Sequence, residues 1–100
     1  MDFSARTAFL VSYDVSNPRR LARTRKVLLG YGDPVQLSVF RCELTAQELV
    51  QLRAALLVEI DALEDQVLFV DLGPAEGRGG DCITSLGRSF LRAEHRAMVI

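Results

Sequence analysis

An α+β sandwich, with two helices laid on one face of an antiparallel sheet, is the architecture this sequence predicts. Three observations carry it. The run Phe9-Leu10-Val11-Ser12-Tyr13 is apolar enough for a central strand. Thr45-Ala46-Gln47-Glu48 is a capping box placed ahead of a leucine stripe. The elements follow one another as strand, helix, strand ribbon, helix, strand, the alternation of a two-layer fold. At 100 residues and 49% hydrophobic, the chain can fill one small core but not a second one.

The first strand, residues 8–13, ends on a carboxylate, Asp14. Asn17 before Pro18 is an N-cap followed by proline at the first helical position, so a helix is expected from Pro18 to about Leu29, stopping at Gly30-Tyr31-Gly32. Leu21, Thr24, Leu28 and Tyr31 fall on one of its faces, and Arg19, Arg23 and Lys26 fall largely elsewhere. After Pro34, Val35, Leu37 and Val39 alternate with Gln36, Ser38 and Phe40, which is strand periodicity. Only about ten residues, 35–44, serve the two middle strands, so these must be short or form one long bent strand. The second helix carries Leu49, Leu52, Leu56, Ile60 and Leu63 on one stripe. Residues 66–72 form the last core strand, and Val67, Leu68, Phe69 and Val70 suggest burial on both faces. Gly73-Pro74 and Gly77-Arg78-Gly79-Gly80 read as a flexible loop. Strand-like pieces follow at residues 82–85 and 97–100. This order is the ferredoxin-like βαββαβ sandwich.

Composition excludes several function classes. No charge-free run approaches the eighteen or so apolar residues of a membrane span. Met1-Asp2-Phe3-Ser4-Ala5-Arg6 lacks the pattern of a secretory signal, so a cytoplasmic protein is expected. Cys42 and Cys82 lie far apart without a second ligand pair, which argues for reduced thiols and against structural zinc. His95, in a charged segment, reads as a surface histidine rather than a catalytic one. The glycines of residues 73–80 precede no helix and lack the lysine-serine pair of a phosphate loop.

The net charge of −1 conceals a segregation: residues 1–41 sum to +4, residues 42–76 to −7 and residues 77–100 to +2. A basic first helix fits a polyanion approached from one side, and Arg19, Arg20, Arg23 and Lys26 are the candidate contacts. The plain alternative is a solvated, arginine-rich helix face. Asp14 likewise has two readings. It caps the following turn, or it ligates a hard cation such as magnesium, which takes few protein carboxylates and keeps waters able to attack a phosphodiester. Asn17 is the better-placed cap. One aspartate per chain is too few for a site, whereas two copies across a twofold axis supply a pair.

Tyr13-Asp14-Val15 with Arg19-Arg20, Tyr31-Gly32, Val35-Gln36-Leu37-Ser38-Val39-Phe40 and Glu43-Leu44, in this order and spacing, resemble the CRISPR-associated protein 2 family over about residues 8–72. The resemblance implies a ferredoxin-like homodimer with residues 1–80 as the nucleic-acid-binding core. Residues 81–100 would be a C-terminal extension adding a strand to the partner's sheet. It further implies an endonuclease of spacer acquisition, cutting RNA or DNA with magnesium (or manganese) held by Asp14, and working with the CRISPR-associated integrase, CRISPR-associated protein 1. Tyr13, Ser38 and Phe40 would line the surroundings of the paired acids, although Tyr13 is equally suited to the core and Ser38 and Phe40 to structural roles. Two alternatives stand beside it. One is a catalytically dispensable dimer that bridges integrase subunits and binds duplex DNA; the other is a toxin-like ribonuclease of similar fold.

Overall fold

The computed structural model describes residues 5–90. Its elements are β1 (Thr7–Asp14), α1 (Pro18–Leu29), β2 (Asp33–Gln36), β3 (Val39–Leu44), α2 (Ala46–Glu59) and β4 (Gln66–Pro74), followed by a short 3-10 turn, Arg78–Gly80. The strands form one antiparallel sheet in the order β2-β3-β1-β4. This is the ferredoxin-like arrangement: β1 lies between β3 and β4, and both helices cover the same face.

Local chemistry explains the boundaries. Asn17 adopts an extended backbone, and its side-chain oxygen accepts from the N–H groups of Arg19 and Arg20, satisfying donors that the first helical turn cannot bond internally. Thr45 and Glu48 complete the capping box of α2 in both directions. α1 closes on Gly30 in a right-handed conformation, so no left-handed glycine ends this helix. Gly32 is required for a different reason. A β-carbon there would sit 2.3 Å from the carbonyl oxygen of Arg41, inside β3.

Strand alternation decides what is buried. Phe9, Val11 and Tyr13 of β1, with Phe40, Cys42 and Leu44 of β3, point at the helices and meet Leu28, Leu52 and Leu56. The register sets Val11 opposite Phe40 on one side and Phe69 on the other. Leu10, Ser12 and Asp14 turn to the opposite, helix-free face.

Four expectations are corrected. The alternation expected to run through residues 35–40 is interrupted: of the two forms open to the middle strands the short one is realised, and Leu37-Ser38 is the turn between them. That turn breaks the alternation, leaving Leu37 84% exposed while Phe40 is fully buried. β4 is covered on one face only. Val67 and Phe69 pack on the core, but Leu68 and Val70 are 51% and 46% exposed, because no helix lies on their side. Leu21 and Leu63 leave their apolar stripes for solvent, the latter because α2 has already ended at Glu59. The glycine loop is anchored rather than free. Gly79 is buried so tightly that a β-carbon would lie 2.6 Å from the Gly73 carbonyl oxygen, and its own carbonyl accepts from the buried Arg41 guanidinium at 2.6 Å.

Beyond that turn, residues 81–90 run as bends and coil, so the strand expected at 82–85 is not formed within the chain. They cross the helix-free face near Leu10 and Val39, leaving a groove of about 670 Å³ beneath Ile83, Leu86 and Phe90. His95 and the strand-like piece at 97–100 lie outside the described residues. Among the described residues, no helix is long and apolar enough to cross a membrane.

Candidate functional site

The topology gathers the end of β1, the β2–β3 turn, the start of β4, the N-terminus of α1 and the C-terminus of α2 at one end of the sheet. Asp14 stands there, exposed, on the last residue of β1, its backbone paired with Gln66 of β4. Its carboxylate accepts no hydrogen bond from any described residue. Asn17 holds the cap, which removes the capping reading of Asp14.

Tyr13 faces the other way and is 4% exposed. Its hydroxyl donates to the Leu37 carbonyl oxygen at 3.0 Å, and its N–H donates to the Ser38 carbonyl oxygen at 3.0 Å. Its ring lies 6.1 Å from that of Phe40, over which the Arg25 guanidinium rests at 5.5 Å. Tyr13 and Phe40 thus secure the hairpin to the core from the face opposite Asp14. Ser38 belongs to the hairpin turn beside β1 and contributes its carbonyl oxygen to that clasp.

The arginines of α1 divide into two sorts. Arg20 donates Nε and an Nη to the two oxygens of Asp65 at 2.7 and 3.1 Å, and the same Nη lies 3.3 Å from Glu64. Arg23 donates to Glu59 at 2.9 Å. Both guanidinium groups are therefore engaged by α2 and the loop after it. Arg19 and Lys26 are exposed and make no ion pair with a described residue. The lengthwise charge asymmetry has the same origin, since Arg6–Glu48, Arg20–Asp65 and Arg23–Glu59 all pair the positive block with the negative one.

Asp65 is the residue that sequence reasoning missed. Its side chain is fully buried, and it accepts from Arg20, from the Asp61 N–H at 2.8 Å and from the Ser16 N–H at 3.4 Å. The Arg20 fork is the main reason that its carboxyl is pulled down to about 2, with the two backbone donors assisting against burial. Its one legible signal was its position in the acidic run Asp61–Asp65, within the block that mirrors the basic helix. Cys42 is no candidate nucleophile, because burial pushes its thiol up to about 12.

The donor set suits a hard cation only sparingly. Asp14 offers oxygen donors at an open edge, as magnesium requires, while Asp65 is already saturated. Among the described residues, no three ligating side chains converge. Among the described residues, Asp14 is the carboxylate at this end of the sheet that no other group engages.

Two helices on one face of a 2-3-1-4 antiparallel sheet, with a bare acid closing the inner strand, define a ferredoxin-like α+β protein. The family model described as CRISPR associated protein Cas2 matches residues 7–77. A protein of Rhodospirillum rubrum named CRISPR-associated endoribonuclease Cas2 1 is 40% identical over 97% of this chain and 94% of its own length. A CRISPR-associated endoribonuclease Cas2 of Geobacter sulfurreducens is 37% identical over 92% and 96%. The crystal structure of Streptococcus pyogenes Cas2 superposes with a TM-score of 0.70 at 34% identity, covering 80% of this chain and 99% of that one. A hypothetical protein of Thermus thermophilus reaches 0.75 at 28% identity, covering 87% and 98%. The chain belongs to the Cas2 family.

Proposed function

We propose that this protein is a divalent-metal-dependent endonuclease of CRISPR adaptive immunity, active as a homodimer in which two Asp14 carboxylates form one site. The observation that carries the reading is the contrast between two acids at the same end of the sheet. Asp65 is buried and saturated, whereas Asp14 is exposed and accepts nothing from the described residues. The relatives' name, CRISPR-associated endoribonuclease, supplies the reaction class.

The dimer rests on the helix-free face. Leu68 and Val70 of the edge strand β4 expose apolar surface beside Leu10, and burying such a patch is worth roughly 25 cal/mol per Å². Two sheets meeting there about a twofold axis bring their Asp14 residues toward one another. Residues 81–90 form no strand within the chain, which suits a C-terminal extension, 81–100, to the partner's open edge. Two facing carboxylates repel, and a shared cation relieves that repulsion. Magnesium, or manganese in its place, would be held by the Asp14 pair, where it supplies an activated water and positive charge for a phosphate oxygen. Arg19 and Lys26, unpaired among the described residues, would hold the nucleic-acid backbone. Arg20 and Arg23 would contribute mainly by shaping that helix.

A second reading has its own support. With one carboxylate per chain and no converging ligands among the described residues, the dimer also suits a nucleic-acid-binding bridge between integrase subunits. Asp14→Asn distinguishes the two. The enzyme reading expects metal-dependent cleavage of RNA or DNA to fall at least about 100-fold, with the dimer intact by light scattering. Undiminished cleavage by a clean preparation of that variant would remove Asp14 from the chemistry. Loss of cleavage with unimpaired spacer integration would favour the bridge.

A further inference from the structure

Asp14 is held in place by its backbone alone. Its carboxylate has no partner among the described residues, so its position depends on the strand that carries it and on the turn that follows. Both are tied to one buried group. Asp65 directly precedes Gln66, the residue paired with Asp14 across the β1–β4 ladder. One oxygen of Asp65 accepts from the Ser16 N–H, two residues after Asp14, and from an Arg20 Nη at 3.1 Å. The other accepts from Arg20 Nε at 2.7 Å and from the Asp61 N–H at the end of α2. One carboxylate thus joins the β1–α1 turn, the first turn of α1, the end of α2 and the start of β4.

We propose that Asp65, acting with Arg20, is the positioning residue that sets Asp14 for metal binding. This rests on the reading of Asp14 as a metal ligand. Asp65 is not itself a ligand, because both of its oxygens are already engaged by Arg20 and by backbone donors. Its role is geometric. A cation shared by two chains tolerates displacements of only about half an ångström in its ligands, and each chain contributes one carboxylate that no described residue hydrogen-bonds to orient. Loosening the turn would therefore displace both ligands together. Supporting groups around metal ligands commonly govern affinity by about 10- to 100-fold.

The test is manganese affinity, read by electron paramagnetic resonance on full-length protein whose dimeric state is verified by light scattering. Asp65→Asn is expected to weaken binding about 10-fold or more. Arg20→Lys, which keeps the charge but loses the fork, moves affinity in the same direction and decides the matter if Asp65→Asn does not fold. Glu48→Gln is the control. It breaks the capping box and the Arg6 pair at the far end of α2, so it lowers the thermal midpoint while leaving manganese affinity at the wild-type value. Wild-type affinity in folded Asp65→Asn and Arg20→Lys overturns the proposal, as does an equal loss in Glu48→Gln, which would trace the effect to stability. If Asp14→Asn binds manganese as tightly as wild type, the reading of Asp14 falls, and this inference falls with it.

Discussion

On β1, Phe9, Val11 and Tyr13 turn toward the helices and are at most 9% exposed, whereas the alternate residues Leu10, Ser12 and Asp14 turn to a face that no helix covers. The same alternation runs through β4, where Val67 and Phe69 join the core and Leu68 and Val70 stay open. One face is closed by the two helices; the other is crossed only by residues 81–90 among the described residues and keeps Leu68 and Val70 about half exposed. The difference separates two kinds of residue that sit side by side in sequence. Tyr13 and Phe40, both parts of the family-like motif, stabilise the closed face, while their neighbour Asp14 lies beyond it. Chemistry that depends on a second copy belongs on the open side.

Substitutions on the two faces should therefore have different consequences. The largest effect is expected on the closed face. Phe40→Ala removes a fully buried ring packed on Tyr13 and should cost about 3–5 kcal/mol in chemical denaturation. A cost near zero would mean that this core is not organised around the hairpin clasp. On the open face, Leu68→Asp should leave the chain folded but raise the dimer dissociation constant on the order of 100-fold, about 2.7 kcal/mol. Sizing by light scattering across a dilution series reads this directly, and an unchanged dimer would place the interface elsewhere.

A gentler probe addresses the Asp65–Arg20 clamp at the end of the sheet. The Asp65 carboxyl lies at about 2 in the folded chain, against about 3.9 when unfolded. A depressed carboxyl stabilises the fold above its unfolded value, and that contribution disappears as pH falls toward 2. Stability should thus decline between about pH 4 and pH 2, and less steeply in Asp65→Asn, where this group no longer titrates. Parallel declines in the two proteins would show that the clamp is not coupled to folding.

Much of this was legible in the sequence, for identifiable reasons. Asn17-Pro18 and Thr45–Glu48 marked the helix starts because caps are local chemistry, and the apolar run into Asp14 marked β1 because alternation survives in a central strand. The long-range pairings were not legible. Arg20 and Asp65 meet across 45 positions, and nothing near Arg20 announces that its charge is taken. A basic helix consequently read as either a polyanion surface or a solvated face, when two of its arginines are turned to carboxylates of the second half. The Leu37-Ser38 turn also escaped notice, since it contains none of the glycine, asparagine or proline that usually signals a hairpin. Leu68 and Val70 misled in the opposite sense. Four apolar residues in a row suggest two-sided burial, and among the described residues Leu68 and Val70 stay about half exposed because no helix lies on their side.

The central claim is that Asp14 is half of a site completed by a second chain. Manganese bound per chain, counted at saturation on light-scattering-verified dimer, tests it most directly. The account predicts one ion for every two chains in the wild type and none at that site in Asp14→Asn. One tightly bound ion per chain, or a stoichiometry unchanged by Asp14→Asn, would contradict it.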